Sequence, residues 1–191
     1  MQNCSNFKSQ LPEAQIKDSP ASDSDPARVL AAEDPLYCRL LTARIQEEKN
    51  LVISGQIRQH VLRVDRPEAS GGDDTAPTTP ETFLFALGSC VVATGRFIAS
   101  QQKIAVKAIG VEIKGELDLR RAFGLCTDGR AGFQRIKIRL NIDADLPEAK
   151  RRSLLEEIAS RCPVCDSVAN ATSIEYDLQP EDGNSGDIIP N

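Results

Sequence analysis

The chain predicts an α+β sandwich, and three observations predict it. Thr79–Ser100 is a long helical run whose apolar residues spread around much of the circumference. Ala105–Leu119 and Gln134–Asp143 read as strands. In the second, Ile136, Ile138, Leu140 and Ile142 alternate with Arg135, Lys137, Arg139 and Asn141, so one face is buried and one is wet. A second helix opens at Pro147 and is interrupted at Cys162-Pro163. The resulting order is strands, buried helix, strands, kinked helix and a last strand, which suits helices packed on antiparallel sheet.

Each element has its own signal. Tyr37–Glu47 and Leu51–Val64 hold β-branched and apolar residues on either side of Glu48-Lys49-Asn50, which predicts two strands and a turn. Asp65–Thr79 is a loop by composition, with Pro67, Gly71, Gly72, Asp73, Asp74 and Pro77. Thr79 suits the N-cap of the central helix, Pro80 its first helical position, and Glu81 the first turn, where the helix dipole favours negative charge. Arg120–Phe133, with Gly124, Gly129 and Gly132, is a connection between strands. Leu154, Leu155 and Ile158 form the apolar stripe of the second helix. Ser173–Leu178, where Ile174, Tyr176 and Leu178 alternate, is the expected last strand.

Length and composition bound the function. At 191 residues the chain supports one domain with a sizeable core. The expected division is a disordered extension over 1–35, the domain over 36–178 and a flexible acidic tail over 179–191. Of the net charge of −5, −3 falls in residues 1–36 and −4 in 177–191, so the stretch between is slightly positive. That is no nucleic-acid footprint, and with no Trp and two Tyr stacking platforms are scarce. No apolar run is expected to reach membrane-spanning length, and no basic start is followed by an apolar stretch, so neither a membrane nor a secretory signal is expected. The six cysteines, Cys4, Cys38, Cys90, Cys126, Cys162 and Cys165, are then expected to be reduced thiols in the cytoplasm.

Cys90 sits mid-helix in the apolar run, and Cys162 falls at the restart that Pro163 enforces. A thiolate attacks far better than a thiol, and it forms beside helix N-termini or cations. Should Cys90 and Cys162 approach in space, one thiolate can attack a peroxide and become a sulfenic acid. The other thiol can then condense with it to a disulfide. A carboxylate and a guanidinium would hold and polarise the peroxide. Glu81 is the carboxylate candidate, although a first-turn Glu serves its helix for dipole reasons alone. Arg39, Arg44, Arg58 and Arg63 are the guanidinium candidates, and Arg58 is taken first. Cys38, Cys126 and His60 are read as ordinary strand or loop residues. A zinc site lacks ligands, and the Cys162–Cys165 pair follows a helix rather than the strand a thioredoxin-like motif wants.

Gly71-Gly72-Asp73, then Pro77-Thr78-Thr79-Pro80-Glu81, then Ala86-Leu87-Gly88-Ser89-Cys90 resembles the first motif of the OsmC/Ohr family, and Cys162-Pro163-Val164 its second. The likeness covers Leu36 to Leu178. It implies an OsmC-like fold of antiparallel sheets on two central helices in an intertwined homodimer. It further implies reduction of organic hydroperoxides and of hydrogen peroxide, with Cys90 attacking, Cys162 resolving and Glu81 in the active site. Its implied partners are a small-molecule peroxide and an external dithiol reductant, with no cofactor and no metal. The chain departs from the family in having Cys165 where Ser is usual, and in offering Leu51-Val52-Ile53-Ser54 near the place of the peroxide-binding arginine. The rival reading is a non-catalytic or weakly catalytic dimer that binds a small hydrophobic ligand in its interfacial cleft.

Overall fold

The computed structural model describes residues 39–178 except Thr127. The expected extension, the expected tail, Cys4 and Cys38 lie outside the described residues. The element order is β1 (Arg44–Glu47), β2 (Ile53–Ile57), β3 (His60–Val64), α1 (Thr79–Gln101), β4 (Val106–Leu117), β5 (Phe133–Ala144), α2 (Glu148–Arg161) and α3 (Pro163–Ala169). β1, β2 and β3 form one antiparallel sheet, and β4 and β5 pair in another. These residues fall into two compact units, 39–84 with 114–137 and 85–113 with 138–178.

In the first unit, the single strand expected over Leu51–Val64 is two. The chain reverses at Arg58-Gln59, so that Ile57 faces His60. Arg58 makes the turn in the left-handed region at φ 55°, which is why no Gly or Asn announces it. The loop that follows is pinned by Asp65, a residue only 3% exposed. Its carboxylate accepts from the Arg66 N–H at 2.6 Å, and from the Thr75 N–H and hydroxyl at 2.8 Å each. Gly72 is required here, because a Cβ would overlap the Arg66 carbonyl. The expected Gly-Gly-Asp signal therefore has a structural reason of its own.

The start of α1 differs by one residue from expectation. The capping residue is Thr78, not Thr79. The Thr78 N–H and hydroxyl donate to Glu81 at 2.7 and 2.8 Å, the Glu81 N–H points back at the Thr78 hydroxyl at 3.4 Å, and the Thr82 N–H donates to the Thr78 carbonyl. This reciprocal arrangement is a capping box.

In the second unit, α1 buries Leu87, Gly88, Val91, Gly95, Ile98 and Ala99. Phe85 and Phe97 stay 74% and 58% exposed, so within one chain the helix is buried on one face rather than all round. At 23 residues it is also apolar enough to cross a membrane by length and composition, which corrects the expectation that no run is. A core helix passes the same test, and Val91 and Ile98 join Ile142, Ala144, Leu154, Ile158 and Cys162 in the core cluster. Gly95 allows this packing: a Cβ there would stand 3.0 Å from Ile158 Cδ1 and 3.3 Å from Ile109 Cδ1. β5 alternates as expected, with Leu140, Ile142 and Ala144 turned inward. Where β5 gives way to α2, Arg151 donates to the carbonyls of Ile142, Ala144 and Leu146. The α1 and α2 C-terminal ends are tied by Gln102 to Glu157 at 2.5 Å and Arg161 to Gln101 at 2.7 Å.

The expected last strand is absent: among the described residues, 173–178 belong to no sheet. A strand needs a ladder partner whatever its alternation, and Ile174, Tyr176 and Leu178 stand largely exposed.

Two outcomes follow from this packing. Ile158→Ala empties the contact over Gly95 and should lower unfolding stability by about 2–5 kcal/mol, read from the denaturant midpoint. The carboxyls of Asp65 and Glu81 are held below their ordinary values, Asp65 first by the Thr75 N–H and Glu81 first by the Thr78 N–H. A depressed carboxyl stabilises above its unfolded value and loses that contribution as pH falls through its folded value. Acid unfolding should therefore begin below about pH 4.5, and Asp65→Asn or Glu81→Gln should flatten that limb of the stability profile.

Candidate active site

The site is built on one face of α1 and on the joint between α2 and α3. Cys90, Val91, Thr94, Gly95 and Ile98 fall at three- and four-residue spacing, so they share a helix face. Leu154, Ile158 and Cys162 stack at four-residue spacing along α2 and its end, each 1% exposed or less. Cys162 closes α2 through its N–H to the Ile158 carbonyl at 3.0 Å and opens α3, where its own carbonyl accepts from the Asp166 N–H. Pro163 forces that joint, because it has no N–H to continue α2. Seating Ile158 against Gly95 thus brings the Cys162 sulfur to the face that carries Cys90.

Three thiols meet there. Cys162 is fully buried, Cys90 and Cys165 are half-buried, and all are free. Burial works against the ionisation of Cys162, but the Cys165 N–H and thiol, the Cys90 thiol and the Val164 N–H outweigh it and hold Cys162 below the ordinary thiol value of 9.0. Burial pushes Cys90 up. The Val164 N–H and the Thr94 hydroxyl pull it back in part, while the Cys162 sulfur raises it further. Cys165 is pushed up to about 12, by burial first and then by the neighbouring Cys162. Of the three, Cys162 is therefore the first to ionise. Two kinds of donor, backbone N–H and thiol, favour its thiolate.

The other expected site residues lie in the first unit. Glu81 is exposed and occupied by its capping box. Arg58 is exposed in the β2–β3 turn, where its carbonyl accepts from the Gln56 side chain at 3.0 Å. Of the other arginines considered, Arg63 pairs with Glu48 at 3.4 Å. A cavity lined by Glu116, Leu117, Asp118, Arg120 and Gln134 also lies in this unit and holds no thiol. Among the described residues no cluster of His, Cys, Asp and Glu has the arrangement of a metal site. Two contributors escaped the sequence reading. Thr94 was legible in principle as the residue one turn beyond Cys90, and the Val164 N–H as the amide freed by a helix restart.

Residues 71–177 match the family model for OsmC-like protein, more than half of the 191. The chain belongs to the OsmC-like family. Its fold is similar to that of solved structures in this group. An OsmC-like protein from Mycoplasma pneumoniae aligns at TM-score 0.62 and 16% identity, over 70% of this chain and 89% of that one. An organic hydroperoxide resistance protein from Legionella pneumophila aligns at TM-score 0.53 and 18% identity, over 68% and 89%. An organic hydroperoxide resistance protein from Vibrio cholerae, with captopril in one of its active sites, aligns at TM-score 0.54 and 19% identity, over 73% and 90%. No curated protein sequence matches. The OsmC-like fold, mixed helices and antiparallel sheets, is as the sequence predicts.

The electrostatics of the cluster has a direct readout. In a Cys4/Cys38/Cys126→Ser background, the ultraviolet thiolate signal should rise first below the ordinary thiol value of 9.0, with a separate late step from Cys165. Cys162→Ser should abolish the first step and let Cys165 titrate somewhat earlier, since its sulfur neighbour adds to the effect of burial.

Proposed function

We propose that this OsmC-like chain is a thiol peroxidase for organic hydroperoxides. The observation that carries the reading is the approach of Cys90 and Cys162, distant in sequence and packed together in one core cluster. The Cys90 sulfur attacks the terminal peroxide oxygen. The O–O bond breaks, the alcohol leaves with the proton the thiol gives up, and Cys90 becomes a sulfenic acid. Cys162 is the thiol that ionises more readily, so it can take the Cys90 proton as the attack begins and hand it to the departing alkoxide, which returns Cys162 to the thiolate. That thiolate attacks the sulfenic sulfur, forms the Cys90–Cys162 disulfide and expels hydroxide, which takes a proton from solvent and leaves as water. An external dithiol returns both thiols.

Family resemblance assigns Glu81 to the active site, and we take Arg58 first among the arginines as the guanidinium that polarises the peroxide. We assign the domain to 36–178 and its working form to a homodimer. The exposed Phe85 and Phe97 on α1 and the unpaired 173–178 segment support a second copy, since each presents apolar area to solvent. The non-catalytic dimer reading requires sulfurs too far apart to bridge, and the packing of Cys90 against the cluster that holds Cys162 weighs against it.

One equivalent of an organic hydroperoxide should remove two thiols from the reduced protein, and Cys162→Ser should accumulate an oxidised Cys90. Thiol counting with peptide mapping checks both. Unchanged thiols in a folded protein would reject the reading. Arg58→Gly should relieve the left-handed strain, with stability unchanged or slightly raised, while lowering the rate of peroxide consumption at least about tenfold if the guanidinium polarises the peroxide.

A further inference from the structure

We propose that Cys165 is a third redox thiol, which takes the disulfide over from Cys90 so that the oxidised resting form is Cys162–Cys165. Where peroxide starts the sequence, this rests on the peroxidase reading; the Cys162–Cys165 pairing itself does not. The geometry that points to it is the packing of three thiols in one cluster. Cys162 lies in the buried core, and Cys90 from α1 and Cys165 from α3 both pack against that core. Cys165 lies three residues on, in the first turn of the α3 segment, with only Pro163 and Val164 between. Val164 and Cys165 pack against the same core cluster as Cys90, so a change of partner at Cys162 needs no long travel.

The exchange balances without an added oxidant. The Cys165 thiol loses its proton and its sulfur attacks Cys162 Sγ, forming the Cys162–Cys165 bond. The Cys90–Cys162 bond breaks, and Cys90 leaves with the electron pair and takes up that proton. One disulfide is made and one is lost. Burial is the main reason Cys165 is held up to about 12, and the neighbouring Cys162 adds to it. Once Cys162 is bonded to Cys90 that added contribution is gone, so oxidation eases the ionisation of Cys165. The exchange frees Cys90, the peroxide-attacking thiol, before any outside reductant arrives. An external dithiol then reduces Cys162–Cys165.

The test has two arms on the full chain. In the first, reduced protein receives one equivalent of an organic hydroperoxide, is acid-quenched over time and is mapped. Cys90–Cys162 should appear first and give way to Cys162–Cys165, which should hold most of the oxidised protein at the end; in Cys165→Ser the first disulfide should persist. In the second arm no peroxide is used. The protein is equilibrated in a glutathione redox buffer, and Cys162–Cys165 should outweigh Cys90–Cys162 at least about tenfold. Cys90→Ser should form Cys162–Cys165 in the same buffer. If Cys90–Cys162 dominates in the buffer, or is the final species after peroxide, Cys165 is not a relay thiol, and the peroxidase reading stands on the two thiols lost. If peroxide removes no thiols but the buffer yields Cys162–Cys165, the peroxidase reading fails and the dithiol pair survives it. A circular-dichroism spectrum of each variant separates loss of pairing from loss of fold.

Discussion

The arrangement of the second unit depends on the absence of one methyl group. Gly95 lets Ile158 lie against the α1 backbone, and Ile109 reaches the same spot from β4. Any side chain at that position would move α2 outward, because packed interiors give way only at a cost of a few kcal/mol. Cys162 sits one turn beyond Ile158, so the position of its sulfur is inherited from that contact. Arg151 fixes the other end by gripping three carbonyls where β5 turns into α2. Between these two constraints α2 has little freedom to slide. A buried thiol cluster needs this rigidity, since disulfide formation tolerates little error in sulfur placement.

Charge placement follows from the same frame. Neither Cys90 nor Cys165 has enough donors to offset burial, whereas Cys162 has amides and thiols aimed at it from both sides. In the proposed reaction Cys90 attacks, although Cys162 is the thiol that ionises more readily. The two statements are compatible if Cys162 works as the acceptor of the Cys90 proton. That proton then stays on Cys90 until the peroxide arrives.

Much of this was legible in the chain. Alternation in Gln134–Asp143, the proline at 147 and the break at Cys162-Pro163 each have one dominant physical cause, and each element stands where expected. The misreadings share a different character. Thr79 suits the N-cap by its place just before Pro80, and only the bonds between Thr78 and Glu81 show the cap to be one residue earlier. The β2–β3 turn was missed because Arg58 carries the positive φ without a turn-forming residue. The last strand was expected from alternation alone, which describes a side-chain pattern but not the neighbour a ladder requires. The burial of α1 is overestimated for a related reason: an apolar circumference does not say which face the rest of the chain covers. At the site, the residue types were readable and their meeting was not, since nothing in the spacing of residues 90 and 162 encodes distance.

The sulfur best able to carry charge is also the one solvent does not touch. Reagents arriving from outside will meet Cys90 or Cys165, which flank it, before they reach the centre. Labelling patterns on this protein will therefore describe the rim of the cluster, and the reactivity of its middle will be visible only through what happens to its neighbours.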